Sequence, residues 1–296
     1  MNNFRKPPQA RDTAFFAGTA VDPAPRIVLE KGSKELTMRA MDLISPIGMG
    51  QRGLIVAPPG SGKTTFLKHL CQSVTASYPG VKLYCLLVDE RPEEVTDFKR
   101  GVTAPVLSSS SDESYEHHIQ TADQLMRQAM QEAGEGKDVM VVIDSLTRLS
   151  RVHNAEQRSN GGRTMSGGVG AGALEIPRRI FGSARKIENG GSLSIMATIL
   201  VDTGSRMDQV IFEEFKGTGN MELVLSREVA QQRIFPAIDV AKSGTRKEEL
   251  LLTPQELEKM RKLRAGLAGM GNPGSAQALL DLLKSYPTNQ KLISAV

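Results

Sequence analysis

The stretch Ala57-Pro58-Pro59-Gly60-Ser61-Gly62-Lys63-Thr64-Thr65 constrains the fold more than any other feature of this chain. It follows the apolar run Gly53-Leu54-Ile55-Val56 directly. That order predicts a buried strand, a glycine-rich turn and a helix opening at Lys63, the context a phosphate-binding loop requires. In such a loop, free N–H groups of the turn and the helix N-terminus hold phosphate oxygens. Lys63 then reaches the β- and γ-phosphates, and the Thr64 hydroxyl holds Mg²⁺. Ala57 stands where the pattern G-x-x-x-x-G-K-[ST] has its first glycine. That glycine is the more replaceable one, because the close backbone approach falls at Gly62. A bare Gly/Pro turn with an exposed lysine would leave the strand before it and the helix after it unexplained. The motif predicts binding of a nucleoside triphosphate.

The chain has 296 residues, 40% of them apolar, enough to bury a core. Its formal charge is +4 and its pI about 9.0, a mild tilt toward anionic partners. No segment approaches the apolar length of a membrane span. The N-terminus Met1-Asn2-Asn3-Phe4-Arg5-Lys6-Pro7-Pro8 lacks the apolar centre of a signal peptide. Cys71 and Cys85 fall on a predicted helix and a predicted buried strand, so core packing is expected and a cytoplasmic location follows. His69, His117, His118 and His153 show no metal-ligand spacing and are expected on helix surfaces.

Residues 1–35, with Pro7, Pro8, Pro23 and Pro25, are expected to form an extended arm. Strands are predicted over 53–57, 82–89, 104–108, 138–144, 192–201 and 221–226. Helices are predicted over 37–44, 112–133 and 173–187. Runs such as Val139-Met140-Val141-Val142-Ile143 lack polar alternation, as expected of strands covered on both faces. An α/β fold with a mostly parallel, helix-flanked sheet follows, spanning 36–252, with ligands at the carboxyl ends of the strands. Beyond it, predicted helices over 254–267 and 276–283 form a small helical appendage, 253–296.

A triphosphatase needs one carboxylate to hold Mg²⁺ and another to orient the attacking water. Asp144, ending the strand 138–144, suits the first role, but Ser145 follows it and offers no base. The strand 82–89 runs into Asp89-Glu90-Arg91, which places Glu90 beside the γ-phosphate, the arrangement of RecA-like motors. The competing role for Asp89 and Glu90 is capping of the helix that starts near Pro92. Arg233 and Arg246 are candidates for an arginine lent by a neighbouring subunit, Arg246 the better one on its glycine-containing loop. Two loops suit a polymer. One is glycine-rich, carries Arg163 and lies within 158–172; the other is Asp202-Thr203-Gly204-Ser205-Arg206-Met207. For the first, a flexible surface linker is the ordinary alternative. With 4% aromatic residues and no Trp, stacking platforms for bases are scarce, and any grip would be on the phosphate–sugar backbone.

Several long blocks carry a resemblance. Ser45-Pro46-Ile47-Gly48-Met49-Gly50-Gln51-Arg52-Gly53, Val88-Asp89-Glu90-Arg91-Pro92-Glu93-Glu94-Val95-Thr96, Phe212-Glu213-Glu214-Phe215-Lys216-Gly217-Thr218-Gly219-Asn220 and Phe235-Pro236-Ala237-Ile238-Asp239 are similar to the bacterial transcription termination factor Rho family. The resemblance implies a RecA-like P-loop motor, homohexameric and RNA-dependent, that hydrolyses ATP with Mg²⁺ and pulls single-stranded RNA through its central hole. It assigns nucleotide contacts to Gly48, Met49, Gly50, Gln51, Arg52 and Gly53, to Gly60, Ser61, Gly62, Lys63, Thr64 and Thr65, and to Arg91. It makes Glu90 the catalytic base, Asp144 the Mg²⁺ carboxylate and Arg246 the finger in trans. Arg233 resembles a second trans-acting arginine, and Phe235 is expected to pack on the adenine. Arg163 and Arg206 fall on the two RNA-gripping loops, where the family often has lysine; arginine adds bidentate phosphate contacts.

The departures are specific. The family usually carries an oligonucleotide-binding module before the motor, and only about 35 residues precede it here. The family often has lysine where Gly60 stands. These differences imply a motor that loads on RNA poorly or depends on a separate RNA-loading protein; RNA polymerase is a further expected partner. Two alternatives stay open: a nucleotide-gated regulatory or assembly subunit in mixed rings, and a DNA-strand-exchange or rotary ATPase cousin.

Overall fold

In the computed structural model, residues 12–32, 35–159, 168–170 and 172–296 are described. In chain order the helices are α1 (Asp12–Ala17), α2 (Leu36–Ile44), α3 (Lys63–Ser77), α4 (Pro92–Gly101), α5 (Tyr115–Gly134), α6 (Leu146–Ser159), α7 (Glu175–Gly182), α8 (Arg206–Phe215), α9 (Arg227–Gln231), α10 (Pro254–Ala268), α11 (Gly274–Ser285) and α12 (Asn289–Ala295). The strands are β1 (Ala20–Val21), β2 (Arg26–Ile27), β3 (Ile47–Gly48), β4 (Arg52–Ala57), β5 (Lys82–Glu90), β6 (Val106–Ser110), β7 (Asp138–Asp144), β8 (Arg185–Ile187), β9 (Ser192–Leu200), β10 (Met221–Val224) and β11 (Gly244–Thr245).

The main sheet runs β11-β10-β4-β9-β7-β5-β6. From β10 to β6 every neighbouring pair is parallel. Antiparallel additions stand at one edge, where β11 pairs β10, and on β9, where β8 pairs its first residues. Each central strand feeds both faces by simple alternation. Met140 and Val142 of β7 join the apolar cluster under α2 and α3. Val139, Val141 and Ile143 join the cluster under α5 and α6. Side chains this buried contribute about 1.5–3 kcal/mol each, so the unbroken apolar runs need cover on both sides, and the helices supply it.

Helix boundaries follow local chemistry. α5 starts later than expected because Ser114 caps it, its side chain accepting from the N–H of His117. Thr253 and Glu256 form a reciprocal capping box at α10, with Pro254 in the first turn. The helix expected over 173–187 is shorter: α7 stops at Gly182, and Arg185–Ile187 is strand β8. The expected extended arm is also different. Its described part carries α1 and the short strands β1 and β2, and Ile27 and Leu29 are fully buried. The C-terminal helices pack on the sheet-covering layer. Met260, Leu279, Leu283 and Leu292 share one apolar cluster with α2 and α3.

Cys71 and Cys85 pack as expected, both buried and free, with their sulfurs 3.4 Å apart. The histidines divide. His118 and His153 are buried rather than on helix surfaces, because the helices carrying them are covered by the sheet and by neighbouring helices.

Candidate nucleotide site and polymer loops

The phosphate loop forms as its sequence demands. Gly60 has φ 76° and Gly62 φ 88°, left-handed values that glycine adopts without a steric penalty. Gly62 is the N-cap of α3, which opens at Lys63. Ser61 folds back inside the loop, its hydroxyl donating to the Pro58 carbonyl at 2.7 Å. The first N–H groups of the fifteen-residue α3 thus face the carboxyl edge of the sheet.

Three predicted residues converge on that edge. The Lys63 ammonium lies 3.3 Å from Glu90 Oε1 and also pairs with Asp144 Oδ1. Both carboxylates are only 2% exposed. Strand parity explains Asp144: it follows Met140 and Val142 on the α3 side of β7. Glu90 is aimed differently. The β5–β6 register shifts between Val88 and Glu90, and Asp89 takes φ 55°, a bulge that turns the end of the strand. Capping does not occupy Glu90, since the N-cap of α4 is Arg91 and no side chain caps that helix.

Burial and the nearby Asp144 charge raise the Glu90 carboxyl to about 7, against the pull of Lys63 and Arg148. Burial opposes the Lys63 ammonium, but Asp144 and Glu90 outweigh it and hold Lys63 above its ordinary value. Among the described residues Glu90 Oε2 is buried without a hydrogen-bond donor beside it, an acceptor left open.

Two supporting residues escaped the sequence. Arg148, on α6, places Nε 3.0 Å from Glu90 Oε1 and donates from Nη1 to the Asp89 carbonyl at 2.5 Å. Its signal was its spacing, one helical turn after Asp144. Thr198 donates from its hydroxyl to Asp144 Oδ1 at 2.7 Å; nothing in the sequence pairs β9 with β7, so no local signal marked it.

The donor set suits Mg²⁺. Thr64 offers a hydroxyl on the first turn of α3 and Asp144 a buried carboxylate. Among the described residues no group of three or more His, Cys, Asp or Glu could hold a metal.

Other predicted residues are distributed unevenly. Phe235 is 44% exposed, and its ring stands 3.5 Å from the position a Cβ on Gly62 would take, beside the loop. Arg233, two residues before Phe235, is exposed with φ 62°. Arg91 is exposed and, among the described residues, pairs with Glu94 at 3.5 Å. Gly48, Met49, Gly50, Gln51, Arg52 and Gly53 stand at the opposite end of β4, roughly 16 Å of strand away from Ala57. Within one subunit they cannot touch a nucleotide held by Gly60, Ser61, Gly62, Lys63, Thr64 and Thr65. Arg246 is at that far edge too, since β11 pairs Thr245 with Met221, and Met221 pairs with Gly53.

Of the polymer loops, Arg163 lies outside the described residues. Arg206 is exposed at the first turn of α8, after Asp202 (φ 54°) and Gly204 (φ 78°). Both loops are tied to α6, which begins two residues after Asp144. Asp208 is 1% exposed; its carboxylate takes Arg151 through both oxygens and the Thr203 hydroxyl at 2.5 Å. Three residues further along α6, Asn154 donates to the Gly168 carbonyl at 3.0 Å and accepts from Gly170 N–H at 2.7 Å. Among the described residues no helix is long and apolar enough to cross a membrane.

Comparison with known proteins agrees with this geometry. The model of the ATP synthase alpha/beta family, nucleotide-binding domain, matches residues 37–245. Transcription termination factor Rho of Haemophilus influenzae is 49% identical over 298 residues, covering 99% of this chain and 71% of that protein. Rho of Escherichia coli K12 is 48% identical over 291 residues, covering 97% and 69%. An ATPase from the type III secretion system of pathogenic bacteria superposes with a TM-score of 0.74 at 25% identity, over 86% of this chain and 71% of that one. The assembled ATPase EscN of enteropathogenic E. coli shares the fold, with a TM-score of 0.75 at 22% identity over 98% and 73%. By its long relatives and its nucleotide-binding core alike, this chain belongs to the transcription termination factor Rho family.

Proposed function

We propose that the chain is an ATP-hydrolysing motor that moves single-stranded RNA, working as a ring of identical subunits and contributing to transcription termination. The observation that carries this is the convergence of Lys63, Glu90 and Asp144 on one edge, in front of the N-terminus of α3. Without nucleotide, Lys63 neutralises the two carboxylates. With ATP it turns to the β- and γ-phosphates beside the free N–H groups of the loop. Mg²⁺, held by Thr64 and Asp144, would neutralise charge on those phosphates. Glu90 then accepts a proton as the water oxygen attacks the γ-phosphorus, and the bond to the β-phosphate oxygen breaks to leave ADP and phosphate. Phe235 supplies the flat face for adenine.

The place of Arg246 at the far end of the sheet supports a cation that serves the nucleotide of an adjoining subunit. The segment from Gly48 to Gly53 shares that edge and would serve the same interface. Arg206 and Arg163 would hold the RNA backbone, and α6 links their loops to Asp144. A complete acid–base and cation set argues against a purely regulatory subunit. The test is ATP turnover with and without single-stranded RNA; an RNA-insensitive rate would favour the regulatory alternative. A separate loading protein and a cytoplasmic location complete the proposal.

A further inference from the structure

We infer that Asn220 is the positioning residue that holds Arg246, together with Arg52, in the register a neighbouring subunit's nucleotide needs. This rests on the trans assignment of Arg246 made above. Asn220 directly precedes β10, the strand between β4 and β11. Its N–H donates to the Arg52 carbonyl at 3.0 Å, and its carbonyl accepts the Arg246 N–H at 2.9 Å. One residue therefore bridges the first residue of β4 and the residue that follows β11.

Those two bonds use the backbone, which any residue supplies. The side chain adds what others cannot. Asn220 Oδ1 accepts the Arg52 N–H at 2.9 Å and the Gln51 side-chain amide at 2.6 Å. Gln51 is 1% exposed, and its own Oε1 accepts the Gly48 N–H at 2.9 Å. Removing the Asn220 oxygen strands two donors, one of them on a buried side chain, and loosens Asn220 between Arg52 and the Arg246 N–H that its carbonyl holds.

The charges at this edge make such a frame necessary. Among the described residues no carboxylate lies within ion-pair distance of Arg52, Arg185 or Arg246. Arg52 is held instead by the carbonyls of Thr218 at 2.9 Å and Ala184 at 3.1 Å. Burial, then the like charge of Arg246, pulls Arg52 below its usual value. Uncompensated guanidinium groups repel and would splay, and a misplacement of about 1 Å at a reacting phosphate can cost about a hundredfold. Hydrogen bonds through Asn220, rather than salt bridges, set the spacing of the Arg52 and Arg246 backbones and leave the Arg246 charge free for a phosphate.

The test compares Asn220→Ala, Arg246→Ala and the double variant in the assembled ring, by ATP turnover, KM for ATP and nucleotide affinity. Asn220→Ala is expected to lower kcat about tenfold with KM and affinity changed less than twofold, because the phosphate loop lies at the other end of β4. In the Arg246→Ala background the same substitution is expected to change kcat less than twofold. An unchanged kcat, a raised KM, or a full tenfold loss in that background would overturn the inference. Normal turnover by Arg246→Ala alone would instead overturn the trans assignment itself. If Asn220→Ala fails to assemble, Asn220→Thr, whose oxygen is too short to reach both donors, carries the same expectations.

Discussion

Arg148 reaches Glu90 at 3.0 Å from a helix that begins two residues after Asp144. The contact matters most once nucleotide is bound. Lys63 then leaves the carboxylates for the phosphates, and Arg148 is the cation that remains beside the base. Glu90 must be ionised to accept a proton, and its carboxyl is raised to about 7 by burial and then by Asp144. As the quantity that reports the nucleotide-free enzyme, kcat/KM should therefore rise as pH climbs through that value. Arg148→Gln removes a pull toward the ionised form, so the rising limb should move to higher pH by at least about half a unit, with a lower rate at neutral pH. Rate profiles from roughly pH 5.5 to 9 check this; an unmoved limb would deny Arg148 its part.

Glu90→Gln should bind ATP normally and turn it over at least about a hundredfold more slowly, the scale for losing a positioned acid–base group. Lys63→Ala should lose nucleotide binding, since the loop loses its phosphate-directed ammonium. Binding of a fluorescent ATP analogue, set beside turnover, separates the two effects. Near-normal turnover in Glu90→Gln would assign the base elsewhere.

Arg206→Ala should abolish RNA stimulation while leaving nucleotide affinity intact. Arg206 is exposed at the start of α8, and the buried Asp208 fixes that loop through Arg151 and Thr203. Turnover titrated with single-stranded RNA reads this directly. Stimulation that survives would remove the loop from the RNA path.

His153 makes stability sensitive to acid. It is 5% exposed, its Nε2 has no hydrogen-bond partner among the described residues, and burial, aided by Arg179, lowers it from 6.5 to about 4. The folded state favours the neutral ring, so this stability is full above pH 6.5 and drains as pH falls toward 4. At about 1.4 kcal/mol per pKa unit the loss is on the order of 3 kcal/mol. His153→Leu should flatten the fall of the unfolding midpoint across that window, measured by denaturant titration at several pH values. An unchanged slope would place the acid sensitivity at other groups.

Much of the nucleotide site could be read from neighbouring residues. The phosphate loop is a continuous segment whose glycines, lysine and flanking elements each have a local cause, and Asp144 ends an unmistakable buried strand. What stayed hidden depends on distant chain segments meeting. Thr198 reaches Asp144 only because β9 pairs with β7. The far-edge placement of Gly48 through Gly53 follows from the direction of β4, which motif matching ignores. The helix expected through Ile187 failed because Arg185 to Ile187 gain more by pairing with Ser192 and Leu193 than by extending α7. His118 and His153 looked like surface residues because helical periodicity does not show when both sides of a helix are covered.

The most direct measurement is the steady-state ATP turnover of the purified chain, with and without poly-pyrimidine RNA, alongside its Glu90→Gln variant. RNA should raise the rate of the unmodified chain severalfold, and the variant should stay near background in both conditions while still binding ATP. Equal rates with and without RNA, or a Glu90→Gln variant as active as its parent, would contradict an RNA-driven motor built on Lys63, Glu90 and Asp144.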